Sequence, residues 1–217
     1  MPIHPSEASR QTRKICALAP VLPVLVIHDV AHARPLAEAL IAGGLPALEV
    51  TLRTPAALDA IRVMADVAGA YAGAGTLITP QDVRAAKAAG AVFGVSPGAT
   101  DALLSACEDE GLPLLPGAAT ATEAMTLLER GYDMQKFFPA EASGGAATLA
   151  AIAAPLPMIG FCPTGGINAD NAGAYLALPN VACVGGSWIA PRALMEAGHW
   201  DRIEALARTA AQMVAMT

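Results

Sequence analysis

The stretch ALEVTLRTPAALDAIRVMADV, residues 47–67, contains one complete structural unit. Residues 47–50 form a brief apolar run, the length of a strand buried on both faces. Thr54-Pro55 has the form of a helix opening, a capping hydroxyl followed by a proline at the first helical position. Leu58, Ile61, Met64 and Val67 then recur at helical spacing. Similar short apolar runs occupy residues 21–27, 70–74, 91–95, 112–115, 134–138, 158–161 and 181–184. Ala-rich helical stretches separate them. Gly43-Gly44, Gly90, Gly111 and Gly131 stand where those helices should stop, and Thr79-Pro80 repeats the helix opening.

Eight strands alternating with about eight helices predict a parallel α/β protein. The length of 217 residues suits a closed (β/α)8 TIM barrel, which typically takes ~200–250 residues. A doubly wound open sheet is the alternative. It usually has fewer strands, and the first βα turn lacks the G-x-G-x-x-G fingerprint. No break in composition marks a linker, so residues 1–217 are expected to form a single domain. Residues 5–19 read as an extra N-terminal helix capped by Ser6, and residues 200–216 as a closing amphipathic helix.

Hydrophobic residues make up 54% of the chain and charged residues 15%, which excludes disorder. The net charge of −6 argues against a nucleic-acid partner, and no apolar run is long enough to span a membrane. Cys16, Cys107, Cys162 and Cys183 form no C-x-x-C pair. They read as reduced, buried thiols of a cytoplasmic protein. Basic residues 10–14, the apolar stretch 15–27 and Ala31-His32-Ala33 together imitate a secretion signal. Pro20 and Pro23 break the apolar stretch, which reads better as a helix end followed by a strand. The four histidines, His4, His28, His32 and His199, lie in no metal-binding pattern, so no metal is expected.

Chemistry in such barrels gathers where strands end. On the second strand, alternation puts Glu49, Thr51 and Arg53 on one face. An acid and a guanidinium emerging from an apolar strand read either as a structural ion pair or as working groups. Of three lysines, Lys14 lies on the basic N-terminal helix and Lys87 on a charged helix face. Lys136 ends an apolar strand, sharing a face with Met134 and Phe138. A lysine there either snorkels to water or, desolvated, becomes a nucleophile toward carbonyls. Gly165-Gly166 and Gly185-Gly186-Ser187 follow the seventh and eighth strands, the usual phosphate site of these barrels. Gln135 points outward under the helices and should need a hydrogen-bond partner there.

Glu-Val-Thr-Leu-Arg-Thr at 49–54, Gly-Ala-Gly-Thr at 73–76, Ser-Pro-Gly at 96–98, Lys-Phe-Phe-Pro-Ala-Glu at 136–141, Phe-Cys-Pro-Thr-Gly-Gly at 161–166 and Gly-Gly-Ser-Trp at 185–188 occur in this order. Together they resemble the bacterial 2-keto-3-deoxy-6-phosphogluconate (KDPG) aldolase family from about residue 15 onward. The resemblance implies a (β/α)8 barrel, commonly a homotrimer. It also implies Schiff-base cleavage in the Entner–Doudoroff pathway without a cofactor, often extending to 4-hydroxy-2-oxoglutarate (KHG). Carried over by position, Lys136 would be the Schiff-base lysine and Glu49 the general acid/base. Arg53 and Thr76 would hold the pyruvate carboxylate, Thr164 would influence stereochemistry, and Pro97 and Phe138 would contact substrate. Gly165, Gly166, Gly186 and Ser187 would form the phosphate pocket. The galactonate-series aldolase, acting on the C4 epimer, is the nearest alternative, although Arg53-Thr54 fits the gluconate series better. A phosphate-binding isomerase or epimerase barrel, or a non-catalytic metabolite-binding barrel, would need no buried lysine.

Overall fold

The computed structural model describes residues 1–213. Strands and helices alternate from the first unit to the last. The strands are β1 (Val21–Leu25), β2 (Ala47–Thr51), β3 (Tyr71–Gly75), β4 (Phe93–Val95), β5 (Leu114–Leu115), β6 (Gly117–Ala118), β7 (Met134–Phe137), β8 (Gly160–Pro163) and β9 (Val184–Gly186). Helix α1 (Pro5–Cys16) precedes them. Between and after the strands lie α2 (Ala33–Ala42), α3 (Ala57–Ala65), α4 (Pro80–Ala88), α5 (Asp101–Glu110), α6 (Ala121–Arg130), α7 (Gly145–Ala153), α8 (Ala172–Leu176), α9 (Arg192–Glu196) and α10 (Trp200–Ala211). Of the expected closing helix, residues 214–216 lie outside the described residues.

The ladder pairings are parallel, in the sheet orders β5-β4-β3-β2-β1-β9 and β6-β7-β8. Single bridges, Phe161 to Val181 and Thr164 to Gly185, join the β8 and β9 sides. Pro116 separates β5 from β6; without an N–H it cannot donate to a ladder. The expected strand at 112–115 starts only at Leu114, after Pro113, and its continuation as Gly117–Ala118 was not legible in such weak strand formers. The last strand likewise starts later than expected, so Gly185 and Gly186 belong to it rather than to the loop after it.

Two layers of apolar side chains sort by alternation. Leu48 and Val50 face outward into a large core with Leu36, Leu40, Ile61, Phe137 and Phe161, under the helices. Ala47, Leu22, Phe93, Val95, Leu115, Met134 and Cys162 form a second, inner cluster. Helix α1 is clasped to the start of β7. The Ser9 hydroxyl accepts the Met134 N–H at 2.8 Å and donates to Asp133 Oδ1 at 2.6 Å, while Arg13 donates to the Asp133 carbonyl at 2.8 Å. The basic and apolar segments that imitate a secretion signal are thus α1 and the buried β1. Among the described residues, no helix is long and apolar enough to cross a membrane.

Several caps follow local chemistry, and two expected ones do not form. Thr79 and Thr120 open α4 and α6 with full capping boxes, closed by Asp82 and Glu123. Gly111 and Gly131 end α5 and α6 in the left-handed region, at φ of 64° and 111°. Ser6 is not the cap of α1: His4 is, its ring accepting the Ser6 N–H, with Pro5 at the first helical position. Thr54 does not cap α3, which begins only at Ala57; its hydroxyl instead donates to the Ile27 carbonyl and ties β2's exit to β1's.

Candidate active site

Strand β7 brings Met134 and Lys136 to the inner side, and β2 brings Glu49 to meet them. Lys136 Nζ lies 3.5 Å from Glu49 Oε1, with both side chains at most 5% exposed. Nothing else bonds Glu49 Oε2, which is buried without a partner. Burial pushes the Glu49 carboxyl above its ordinary range, and the Lys136 charge pulls it back only in part. A Cβ at Gly75, two residues along β3 from Gly73, the register partner of Glu49, would collide with this carboxylate, so glycine there makes its space. Lys136 Nζ also lies 5.1 Å from the centre of the Phe138 ring. Gln135 points the other way: its amide nitrogen donates to the Ala124 and Tyr132 carbonyls at 3.0 and 2.9 Å, as its outward position required. Its oxygen has no partner.

Phe138 links this pair to a cavity of about 250 Å³, lined by Val24, Val26, Arg53, Phe138, Thr164, Gly165, Gly166, Ile167, Gly185 and Ser187 but not by Lys136 or Glu49 themselves. Six of the expected site residues therefore meet on one hollow. Thr76 is joined to it indirectly: it accepts Arg53 Nε–H at 3.2 Å and holds a left-handed φ of 62°, which is strained for a β-branched residue. That bond orients the guanidinium and leaves its terminal NH₂ groups for a ligand. Pro97 and Gly186 are not among the lining residues; a Cβ at Gly186 would run into the Trp188 ring. Gly165 and Gly166 have φ of 105° and 78°, and their N–H groups have no acceptor within the described residues. Free N–H groups of this kind suit an anion.

Two further residues support the glycine loop and escaped the sequence reading. Glu141 donates its N–H to the Gly165 carbonyl at 3.0 Å, and its carboxylate accepts the Tyr175 hydroxyl. The two are 34 residues apart, with no shared motif to link them. A hollow of about 430 Å³ between α5 and α6 is larger, but Arg130, the basic residue in its lining, is spent on Asp101 and Glu108.

The arrangement is an amine beside a carboxylate, linked through Phe138 to a cavity with a guanidinium at one side and free backbone N–H groups at the other. Residues 12–206 match the profile of the KDPG and KHG aldolases. The chain belongs to the KDPG and KHG aldolase family. Within this family it is 52% identical over 200 residues to the 2-dehydro-3-deoxy-phosphogluconate aldolase of Pseudoalteromonas atlantica, covering 92% of this chain and 93% of that one. The KDPG aldolase of Zymomonas mobilis ZM4, solved with 3-phosphoglycerate, superposes with a TM-score of 0.91 at 46% identity, over 96% of this chain and 98% of that one. The KDPG aldolase of Legionella pneumophila, solved with pyruvate captured at low pH as a covalent carbinolamine intermediate, superposes at 0.89 with 47% identity, over 92% and 98%.

Proposed function

We propose that this protein is a class I aldolase that reversibly cleaves KDPG to pyruvate and glyceraldehyde 3-phosphate in the Entner–Doudoroff pathway. The observation that carries this reading is the buried Lys136–Glu49 contact at 3.5 Å, with the second oxygen of Glu49 unpartnered. A buried ion pair adds little stability, and an orphaned carboxylate oxygen costs some, so this pair makes better sense as machinery than as a brace. KHG presents the same 2-keto group and C4 hydroxyl and is a second substrate within reach of this chemistry.

In the proposed mechanism, the Lys136 amine, after giving up a proton, adds to the C2 carbonyl, and loss of water gives an iminium. Glu49 takes the C4 hydroxyl proton, directly or through a water. The C3–C4 bond breaks, its electron pair flows into the iminium, and the aldehyde leaves. Glu49 returns the proton to C3 of the enamine, and water hydrolyses the resulting iminium to free pyruvate and the amine. The iminium is the electron sink, so no cofactor enters. Arg53, steadied by Thr76, holds the substrate carboxylate through a guanidinium fork. Gly165, Gly166 and Ser187 take the phosphate, with Gly186 shaping the strand beside them. Thr164 and Phe138 line the path between, and Pro97 contacts the substrate.

The barrel belongs to the same proposal. The β8–β9 bridges and the single residue between β5 and β6 support reading the two sheets as one closed (β/α)8 barrel in a single domain. The family resemblance supports a homotrimer in the cytoplasm.

Borohydride reduction in the presence of pyruvate tests the mechanism. The expected result is a mass increase on the peptide containing Lys136, absent from Lys136→Ala, which also loses turnover. An unmodified Lys136 in active enzyme, or near wild-type turnover in Lys136→Ala, rejects it. An isomerase or metabolite-binding barrel would leave the lysine unlabelled. Comparing KDPG with its C4 epimer as substrates separates the gluconate from the galactonate series.

A further inference from the structure

Three of the four cysteines, unrelated by spacing, converge. The sulfurs of Cys16, Cys162 and Cys183 all lie within 4.8 Å of one another, and each residue is buried to at least 98%. They come from three separate places: the last residue of α1, the third residue of β8 and the residue just before β9. We propose that these three thiols form a binding site for one monovalent thiophilic metal ion, Cu(I), in three-sulfur coordination inside the strands, beside Lys136, whose cross-strand partner on β8 is Cys162. This inference stands independently of the aldolase reading.

Geometry and donor chemistry choose the ion. Metal–sulfur bonds of about 2.3 Å place three sulfurs roughly 4 Å apart, so the site closes on an ion with shifts below about 1 Å. The donors are all soft, and among the described residues no imidazole or carboxylate completes the cluster. Structural zinc takes four ligands, whereas Cu(I) is satisfied by few, soft thiolates. Thr164 Oγ1, 4.0 Å from Cys162 Sγ, is a poor partner for a soft ion. Binding is ligand exchange without change of oxidation state: each thiol that ligates gives its proton to solvent. Cys107, buried on α5 outside the cluster, is an internal control.

The alternative is that the thiols merely fill space as small hydrophobes. To decide, the fully reduced protein is titrated without oxygen against Cu(I) held by bathocuproine disulfonate, and the copper-loaded protein is examined by X-ray absorption. The expected result is one Cu(I) per chain with three sulfur neighbours. Cys16→Ala and Cys183→Ala should each weaken binding by roughly 10–100-fold, with Cys107→Ala unchanged. Failure to draw copper from the chelator, or equal binding in the cluster variants and Cys107→Ala, overturns the proposal. Should a cluster variant not fold, as read by circular dichroism, the wild-type absorption spectrum decides: fewer than three sulfurs around the metal rejects the site.

Discussion

Glu49 is held in a narrow place. Its carboxylate fills the volume that a side chain on Gly75 would need, and among the described residues its one ion-pair partner is Lys136. Gly75→Ala should therefore displace the carboxylate without touching the amine. Turnover should fall about 100-fold, the cost of a small misplacement of a catalytic group. Borohydride trapping of pyruvate on Lys136 should persist. Loss of both together would mean that the substitution disturbs the lysine or the fold instead. The environment of Glu49 also sets a pH dependence. Its base form is the carboxylate, and burial raises its pKa. The acid limb of kcat/KM should thus lie above the ordinary carboxylate range, near 4.3 for a free glutamate. The limb should disappear from the residual rate of Glu49→Gln; a limb that survives there belongs to another group. Lys136 was legible from sequence, as the one lysine at the end of an apolar strand. The contact itself was not, because 87 positions separate it from Glu49 and only strand packing brings them together.

Capping decides where the helices begin; the Thr79 cap was legible in the sequence, whereas the equally complete box of Thr120 and Glu123 was not read there. At α6, Glu123 accepts the N–H groups of Ala119 and Thr120, both at 2.9 Å, and these bonds hold its carboxyl below the ordinary range. A depressed carboxyl contributes stability above its unfolded pKa and loses it as pH falls through the folded value. Glu123→Ala should therefore lower stability by about 0.3–1 kcal/mol at neutral pH. The difference should vanish in strong acid, where both proteins lack the charge. Urea unfolding at the two pH values reads this, and a penalty equal at both would assign the effect to packing. Thr79-Pro80 and Thr54-Pro55 look alike in sequence, yet only the first opens a helix. Asp82 closes the box for Thr79, whereas a carbonyl from the neighbouring strand captures the Thr54 hydroxyl. A rule about neighbours in sequence cannot see a competitor 27 residues away.

At the scale of the molecule, the proposed trimer is tested by light scattering. The expected mass in solution is three times the chain mass of 21.9 kDa, and a monomer at micromolar concentration rejects it. The alternation of short apolar runs with amphipathic stretches determined the parallel α/β class. It did so because burial on two faces and burial on one face leave different periods in a chain. Strand alternation likewise determined that Glu49 and Lys136 turn inward while Gln135 turns outward. The tertiary structure alone decided that the ladder breaks at Pro116, that Glu141 and Tyr175 brace the glycine loop, and that Cys16, Cys162 and Cys183 share one pocket. Those outcomes depend on which elements lie side by side. That is set by the packing of the whole chain, and no local stretch of sequence records it.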